Sequence, residues 1–274
     1  MVLRIVKRYS DGTSFPPCPF KSFGGILDSR HLKDFAHQCG ADVVGVADLD
    51  HLQGLPTNPT DLLQGYSRAV SVAIRLADGV IEAIEGRPTP LYQQHYLKVN
   101  ALLDDIALQI CRYLQERGAK ALPIPASQVL NKEDWTSYIS HKAVAVAAGV
   151  GWQGKSLLVV NADFGPRIRL VTILTDAPIK ADSPIKNRCG RCSYCSEACP
   201  VGAIKNVNTS SHYADREEAL HFQRCLERVL ENSQRAFIES PICGVCVKAC
   251  PWGRSRKRKN REQYSLKEGG PLGQ

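Results

Sequence analysis

The chain has 274 residues, 43% of them hydrophobic and 23% charged, with a formal net charge of +8. Such a composition describes a folded globular protein, large enough for one sizeable domain plus a small one, and excludes a disordered chain. No apolar run reaches the length that spans a bilayer, and Met1 to Phe15, with Arg4, Lys7, Arg8 and Asp11, lacks the apolar stretch of a secretory signal.

Taken in chain order, residues 1–28 read as an irregular segment, stiffened by Phe15-Pro-Pro-Cys18-Pro. Ser29 is placed to cap a helix from Arg30 to Cys39, stopped by Gly40. Ala41–Ala47 reads as a buried strand, Leu55–Thr60 as a loop and Arg68–Arg75 as a second strand. The longest helix is expected over Pro90–Arg117, with Leu97, Ala101, Ile106, Ile110 and Leu114 at helical spacing and Gly118 ending it.

Ala119–Pro125 suits a third strand, and residues 126–138 a polar loop. An alanine-rich helix over His141–Gly149 enters Gly151-Trp152-Gln153-Gly154-Lys155-Ser156. Glycines at such a turn let backbone approach a ligand, and Lys155 is placed to meet an anion. The turn is not a dinucleotide fingerprint, because the helix precedes it and a strand follows. Leu157–Val160 and Ile168–Thr175 are the last strands. The pattern predicts an α/β (α+β) sheet domain, mixed in its elements.

Near residue 183 the apolar periodicity weakens and cysteines crowd in. Cys189-Gly-Arg-Cys192-Ser-Tyr-Cys195-Ser-Glu-Ala-Cys199-Pro200 is echoed by Cys243-Gly-Val-Cys246-Val-Lys-Ala-Cys250-Pro251. The spacing is that of the bacterial ferredoxin run, in which three close thiolates hold one [4Fe–4S] cluster and the pre-proline cysteine ligates the other. A zinc site gives no reason for the third and fourth cysteines. Two clusters need eight thiolates, the motifs supply seven, and Cys225 alone lies between them. The expected ligand sets are Cys189, Cys192, Cys195 and Cys250 for one cluster, and Cys199, Cys225, Cys243 and Cys246 for the other. Cys18, Cys39 and Cys111 read as ordinary small core residues. Thiolates kept reduced for clusters place the chain in the cytoplasm.

The expected organisation is therefore an irregular segment 1–28, an acceptor-binding domain 29–180, a boundary near Asp176–Pro184, a cluster domain 185–254 and a basic tail 255–274. Residues 254–274 hold seven Lys/Arg against two Glu, so five of the eight net charges sit there. Two all-thiolate clusters at about −2 each would bring the total to roughly +4, so net charge does not announce a nucleic-acid binder. The run Arg254–Arg261 suits RNA phosphates or an acidic electron donor of the ferredoxin or flavodoxin type, and no aromatic platform interleaves it.

The series Arg68-Ala-Val-Ser-Val, Gly149-Val-Gly-Trp-Gln-Gly-Lys155-Ser-Leu-Leu, Leu174-Thr-Asp-Ala-Pro178, Cys189 to Ile204, Arg224-Cys225 and Cys243 to Trp252 resembles the epoxyqueuosine reductase family. The resemblance spans roughly residues 30–254. It implies a nitroreductase-like mixed sheet domain that binds cobalamin, followed by a two-cluster ferredoxin-like domain, related to the reductive dehalogenases. It places cofactor contacts at Arg68, Tyr96, Trp152, Gly154, Lys155 and Ser156, and supports Cys225 as the eighth ligand. The family substrate is epoxyqueuosine in tRNA.

The chain departs from the family where an Asp-x-x-Pro stretch carries the catalytic acid. Here Leu122-Pro-Ile-Pro-Ala-Ser127 stands, followed by an insertion through Tyr138. Candidate replacements are Glu133, Asp134 and Tyr138. Separately, His95-Tyr96 partly matches the family's Asp-Tyr-His, with His95 in place of that Asp, and His95 is a further candidate to bind a ligand or donate a proton. A short form without the family's C-terminal helical-repeat domain is expected. The leading expectation is an oxidoreductase passing electrons through two [4Fe–4S] clusters to a corrinoid that reduces a small or nucleoside-like substrate. A flavin-dependent reductase and a non-catalytic electron carrier are the alternatives.

Overall fold

The computed structural model describes residues 27–254, so Cys18 and the basic run beyond Arg254 lie outside the described residues. Helix α1 spans Ser29–Gln38. Its cap is Asp28 rather than Ser29, because the Asp28 carboxylate accepts the His31 N–H at 2.8 Å. Strand β1 (Val43–Asp48) leads through a 3₁₀ turn, Leu49–Leu52, and an irregular loop to β2 (Arg68–Arg75). A short helix α2 (Asp78–Glu82), which the sequence pattern does not announce, precedes the long helix α3 (Pro90–Gln115). Thr89 caps α3 and Pro90 opens it.

Strand β3 (Ala121–Ile124) and a polar loop lead to α4 (His141–Ala147). The short pair β4 (Trp152–Gln153) and β5 (Val159–Val160) comes before β6 (Ile168–Thr175). The main sheet has the order β1-β2-β6-β3, and all three pairings are antiparallel. The mixing is thus of helices with strands rather than of strand directions.

Alternation along the strands explains the layering. Val70, Val72 and Ile74 of β2, with Val171 and Ile173 of β6, face α1 and α3. Ala69 and Ala73, with Ile168 and Leu174, face α4. On α3 the buried stripe runs through Tyr92, Val99, Leu103, Ile106, Ile110 and Leu114. Leu97 and Ala101, expected on that stripe, point outward, and Leu97 is 36% exposed. The stripe turns with the 3.6-residue repeat, and these two positions fall on its far side.

From Asp176 to Ser193 there is no helix or strand. This segment is nevertheless held: Asp182 accepts the Val46 N–H at 2.8 Å and the Lys33 ammonium at 2.6 Å. Four short helices follow: α5 (Tyr194–Glu197), α6 (Arg216–Ala219), α7 (Phe222–Ser233) and α8 (Val245–Ala249). They are docked on the sheet region at several points, and two of these sit at α8 and just beyond it. Lys248 of α8 donates to the carbonyls of Glu82 and Ile84 at 2.9 and 2.6 Å. The backbones of Gly165 and Gly253 cross so closely that a Cβ on Gly165 would lie 2.0 Å from the Trp252 carbonyl, and one on Gly253 equally close to that of Phe164. Both residues also take positive φ, so only glycine fits the crossing.

Candidate iron–sulfur site

The first cysteine run is held by the sheet region from its first residues. Asn187 donates to the carbonyls of Gln153 and Thr209, each at 2.9 Å, and its side-chain oxygen accepts the Cys189 N–H at 2.8 Å. Trp152, 1% exposed, donates its indole N–H to Cys189 Sγ at 3.3 Å. Lys155, 4% exposed, donates to the Cys192 carbonyl at 2.8 Å. The turn therefore folds into the cysteine run, and the Lys155 ammonium expected to meet an anion is engaged by a backbone carbonyl.

A cavity opens between that turn and the cysteines. Cys189, Cys192, Cys195 and Cys250 line it, closed by Gly154–Ser156 and by Trp252. Three of these thiols come from the first motif and the fourth from the end of the second. Burial raises the Cys250 thiol pKa to about 12, with Cys189, Cys195 and Cys192 adding to the shift. Cys195 is raised by burial and by Cys189 and Cys192.

The remaining thiols form a neighbouring group. Burial raises Cys225 to about 11, and Cys243 and Cys199 push it in the same direction. Burial likewise raises Cys243, and it raises Cys246 further, with Cys243, Cys225, Cys195 and Cys199 as its charged neighbours. The Ala203 N–H points at Cys199 Sγ, 3.3 Å away. Helices α5 and α8 pack together, so the two groups adjoin.

Bare thiolates buried this way are costly, and they carry charge readily only when metal shares it. No group of three or more His, Cys, Asp or Glu among the described residues is set to hold a single metal ion. Thiols ranged around a cavity suit a cluster instead, whose irons are spread over the corners of a cube.

The other expected site residues lie apart. Arg68 opens β2, its Nε donating to the Ile179 carbonyl at 3.0 Å and its guanidinium 3.3 Å from Asp48. His95 Nε2 accepts the Ala77 N–H at 3.0 Å, and burial lowers its pKa, so the ring stays neutral and holds the start of α2. Asp134 is exposed and turned onto Thr136, while Arg216 donates to its carbonyl. Tyr138 is half-buried against the α4 layer, and its carbonyl accepts the Asn58 N–H at 2.9 Å. Glu133 is exposed on the same loop.

Tyr96 has a different setting. Its hydroxyl lies 2.7 Å from that of Ser127, and the Arg169 guanidinium stacks on its ring at 4.5 Å while Arg169 Nε donates to Asn100 at 2.9 Å. Close by, Lys142 of α4 is half-buried, and its ammonium makes no hydrogen bond or ion pair among the described residues. Burial lowers it to about 8, although Cys225 opposes the shift, and Arg169 and Arg216 add to it. His141 beside it bridges Thr172 Oγ1 and the Pro125 carbonyl at 2.8 and 2.9 Å. The carbonyl can only accept, so Nε2 carries the proton and Nδ1 accepts from Thr172. Of this grouping of α3, α4 and β6 side chains beside Cys225, the sequence pointed to Tyr96 alone; a further signal was the one charge of β6, Arg169.

Residues 188–253 match the family described as "4Fe-4S double cluster binding domain". The chain is 27% identical over 206 residues to an epoxyqueuosine reductase of Bacillus anthracis, covering 71% of this chain and 50% of that protein. It spans about half the length, or less, of the curated relatives it matches. Among solved structures, a reductive dehalogenase described for B12-dependent dehalogenation shares the fold with a TM-score of 0.63 and 21% identity over 92% of this chain and 36% of that one. An epoxyqueuosine reductase solved with an epoxyqueuosine-modified tRNA stem loop does so at a TM-score of 0.53 and 20% identity, over 81% and 64% of the two chains. Among the described residues no helix is long and apolar enough to cross a membrane. The chain thus pairs a region that matches a 4Fe–4S double-cluster binding domain with an α/β sheet region before it, and the curated proteins it matches include epoxyqueuosine reductases.

Proposed function

We propose that this chain is an iron–sulfur oxidoreductase whose region 185–254 relays electrons to an acceptor held by region 29–180. Cys189, Cys192, Cys195 and Cys250 hold one [4Fe–4S] cluster, and Cys199, Cys225, Cys243 and Cys246 hold the other. The observation that carries this reading is the membership of the cavity: Cys250 lines it together with Cys189, Cys192 and Cys195. A self-contained first motif would use its own fourth cysteine, Cys199; the crossed pattern is that of two interlocked clusters. Such thiolates need a reducing compartment, which supports the cytoplasm.

The acceptor we propose is a corrinoid beside Cys225. The residues there fit a ligand rich in amide and phosphate groups: Tyr96, Ser127 and Asn100 offer hydrogen-bonding groups, Arg169 a cation, and Lys142 an ammonium that pairs with no described residue. A corrinoid supplies reductive chemistry that no side chain can. This chain's own residues would hold the ligand's polar edge and keep His141 neutral. The substrate class is a small or nucleoside-like molecule; epoxyqueuosine in tRNA is the candidate that the relatives supply, and a ferredoxin or flavodoxin is the proposed donor.

One observation favours a second reading, a two-cluster electron carrier. Gly154, Lys155 and Ser156, expected at the cofactor, line the cysteine cavity instead, and Trp152 bonds to Cys189. Anaerobic reconstitution of the full chain with iron, sulfide and hydroxocobalamin separates the two. About eight irons with stoichiometric cobalt supports the corrinoid enzyme. Eight irons with no cobalt retained leaves the carrier, or a flavoprotein if flavin is bound.

A further inference from the structure

We infer that Trp152 is a positioning residue for the first cluster, its indole N–H holding Cys189 and setting that cluster's reduction potential. The inference rests on the two-cluster reading above and extends it to one side chain outside the cysteine motifs. Trp152 belongs to β4, is 1% exposed, and reaches Cys189 Sγ at 3.3 Å. An indole N–H can only donate, so sulfur is the acceptor. A cluster-bound thiolate accepts far better than a thiol, because it carries charge.

The ring is fixed on several sides. Trp252 meets it edge-on at 5.0 Å between centroids, and the Arg188 guanidinium lies 5.9 Å from its centre. Its strand is pinned too: a Cβ on Gly151 would lie 2.5 Å from the Val160 carbonyl. Trp252 follows Cys250-Pro251, so the paired indoles touch the segments that deliver both the first and the last thiol of the cavity. Lys155 places a buried cation on the carbonyl of the next ligand, Cys192. Donors and positive charge near the sulfurs raise a cluster's potential.

The physical step is one electron. An external low-potential reductant supplies it, the cluster with its four thiolates goes from about −2 to about −3, and no covalent bond is made or broken. The added charge falls partly on sulfur, so the Trp152 N–H stabilises the reduced state more than the oxidised one.

The test is a dithionite titration of the reconstituted full chain, followed by electron paramagnetic resonance. Trp152→Phe keeps an aromatic side chain, though a smaller one, and removes the donor. It is expected to lower the potential of one cluster and leave the other in place, with a shift of about tenfold in the one-electron equilibrium, or about 59 mV. A second measurement does not depend on how that variant folds: ¹⁵N-indole tryptophan in a chain carrying Trp135→Phe and Trp252→Phe, which leaves Trp152 as its one tryptophan, should show ¹⁵N coupling to a reduced cluster. Full iron with both potentials unchanged in Trp152→Phe, or absence of the coupling, overturns the role of Trp152 and leaves the clusters standing. Fewer than about six irons in the unaltered chain overturns the two-cluster reading, and this inference with it.

Discussion

The sheet region and the cysteine region are stabilised by different means. Residues 29–175 bury two apolar layers, one on each face of a four-stranded sheet, with Val72, Ile173 and Leu103 fully enclosed. In residues 185–254 the local cluster of buried apolar side chains is small, centred on Tyr213, Ala219 and Leu220, and the helices of the two cysteine motifs have four or five residues. A segment with so little apolar burial needs another source of stability, and metal–thiolate bonds supply one. One region is built around its own apolar core; the other packs Ile238, Ile242 and Val247 into that core and, on the function proposed above, would draw the rest of its stability from what its cysteines bind.

The largest predicted effect separates the two. Stripping iron with a chelator under oxidising conditions should raise amide hydrogen exchange across 189–250 by at least about a hundredfold, while the β2 and β6 amides stay protected. Equal loss of protection in both regions would show that the sheet depends on the clusters as well.

The next prediction concerns the join. Arg167 is 1% exposed and pairs with Asp78 at 3.1 Å and Glu82 at 2.7 Å, fixing the helix whose neighbouring carbonyls receive Lys248. Arg167→Ala removes the buried partner of two partly exposed carboxylates, of which Asp78 keeps Arg75 at 2.6 Å, and should cost about 2–3 kcal/mol in urea unfolding. Iron retention should fall with it, because α8 loses its support.

A smaller effect is expected from His141. Burial lowers its folded pKa to about 4, below the usual histidine value. The unfolded chain therefore takes up more protons between about pH 6.5 and 4, and stability falls as pH drops through that window. The contribution is fully present above about pH 6.5 and is on the order of 3 kcal/mol. His141→Gln should flatten the acid limb of the stability curve. The smallest effect belongs to the sheet region alone: Thr89→Ala removes the α3 cap and should cost about 1 kcal/mol, with iron content unchanged.

Much of the sheet region was legible residue by residue. Strands β2 and β6 begin and end where their apolar alternation does, since both are central and both faces are buried. The Gly40 and Gly118 stops were equally readable, because each takes a positive φ that suits glycine. On α3 the spacing identified the helix but misplaced part of its face, since Leu97 and Ala101 turn outward. Spacing also brought out the cysteine motifs, a matter of local geometry around a metal. What it could not convey was which distant segments meet. Trp152 and Lys155 read as a ligand-binding turn, yet they bond to a run of cysteines nearly forty residues away. Lys142, Arg169 and Tyr96 come together only through the packing of α3 and α4 around β6.

The crossed membership of the first cavity also has a consequence for the order of events on the ribosome. Its fourth thiol, Cys250, is the last cysteine of the chain, and Gly253, which locks against Gly165, follows three residues later. The sheet region emerges first and can fold as it is made. The cavity cannot be completed until almost all of the described protein has been synthesised. On the proposed ligand set, a chain truncated before Cys250 would present Cys189, Cys192 and Cys195 without their partner, and cluster loading would then double as a check that translation has reached the second motif.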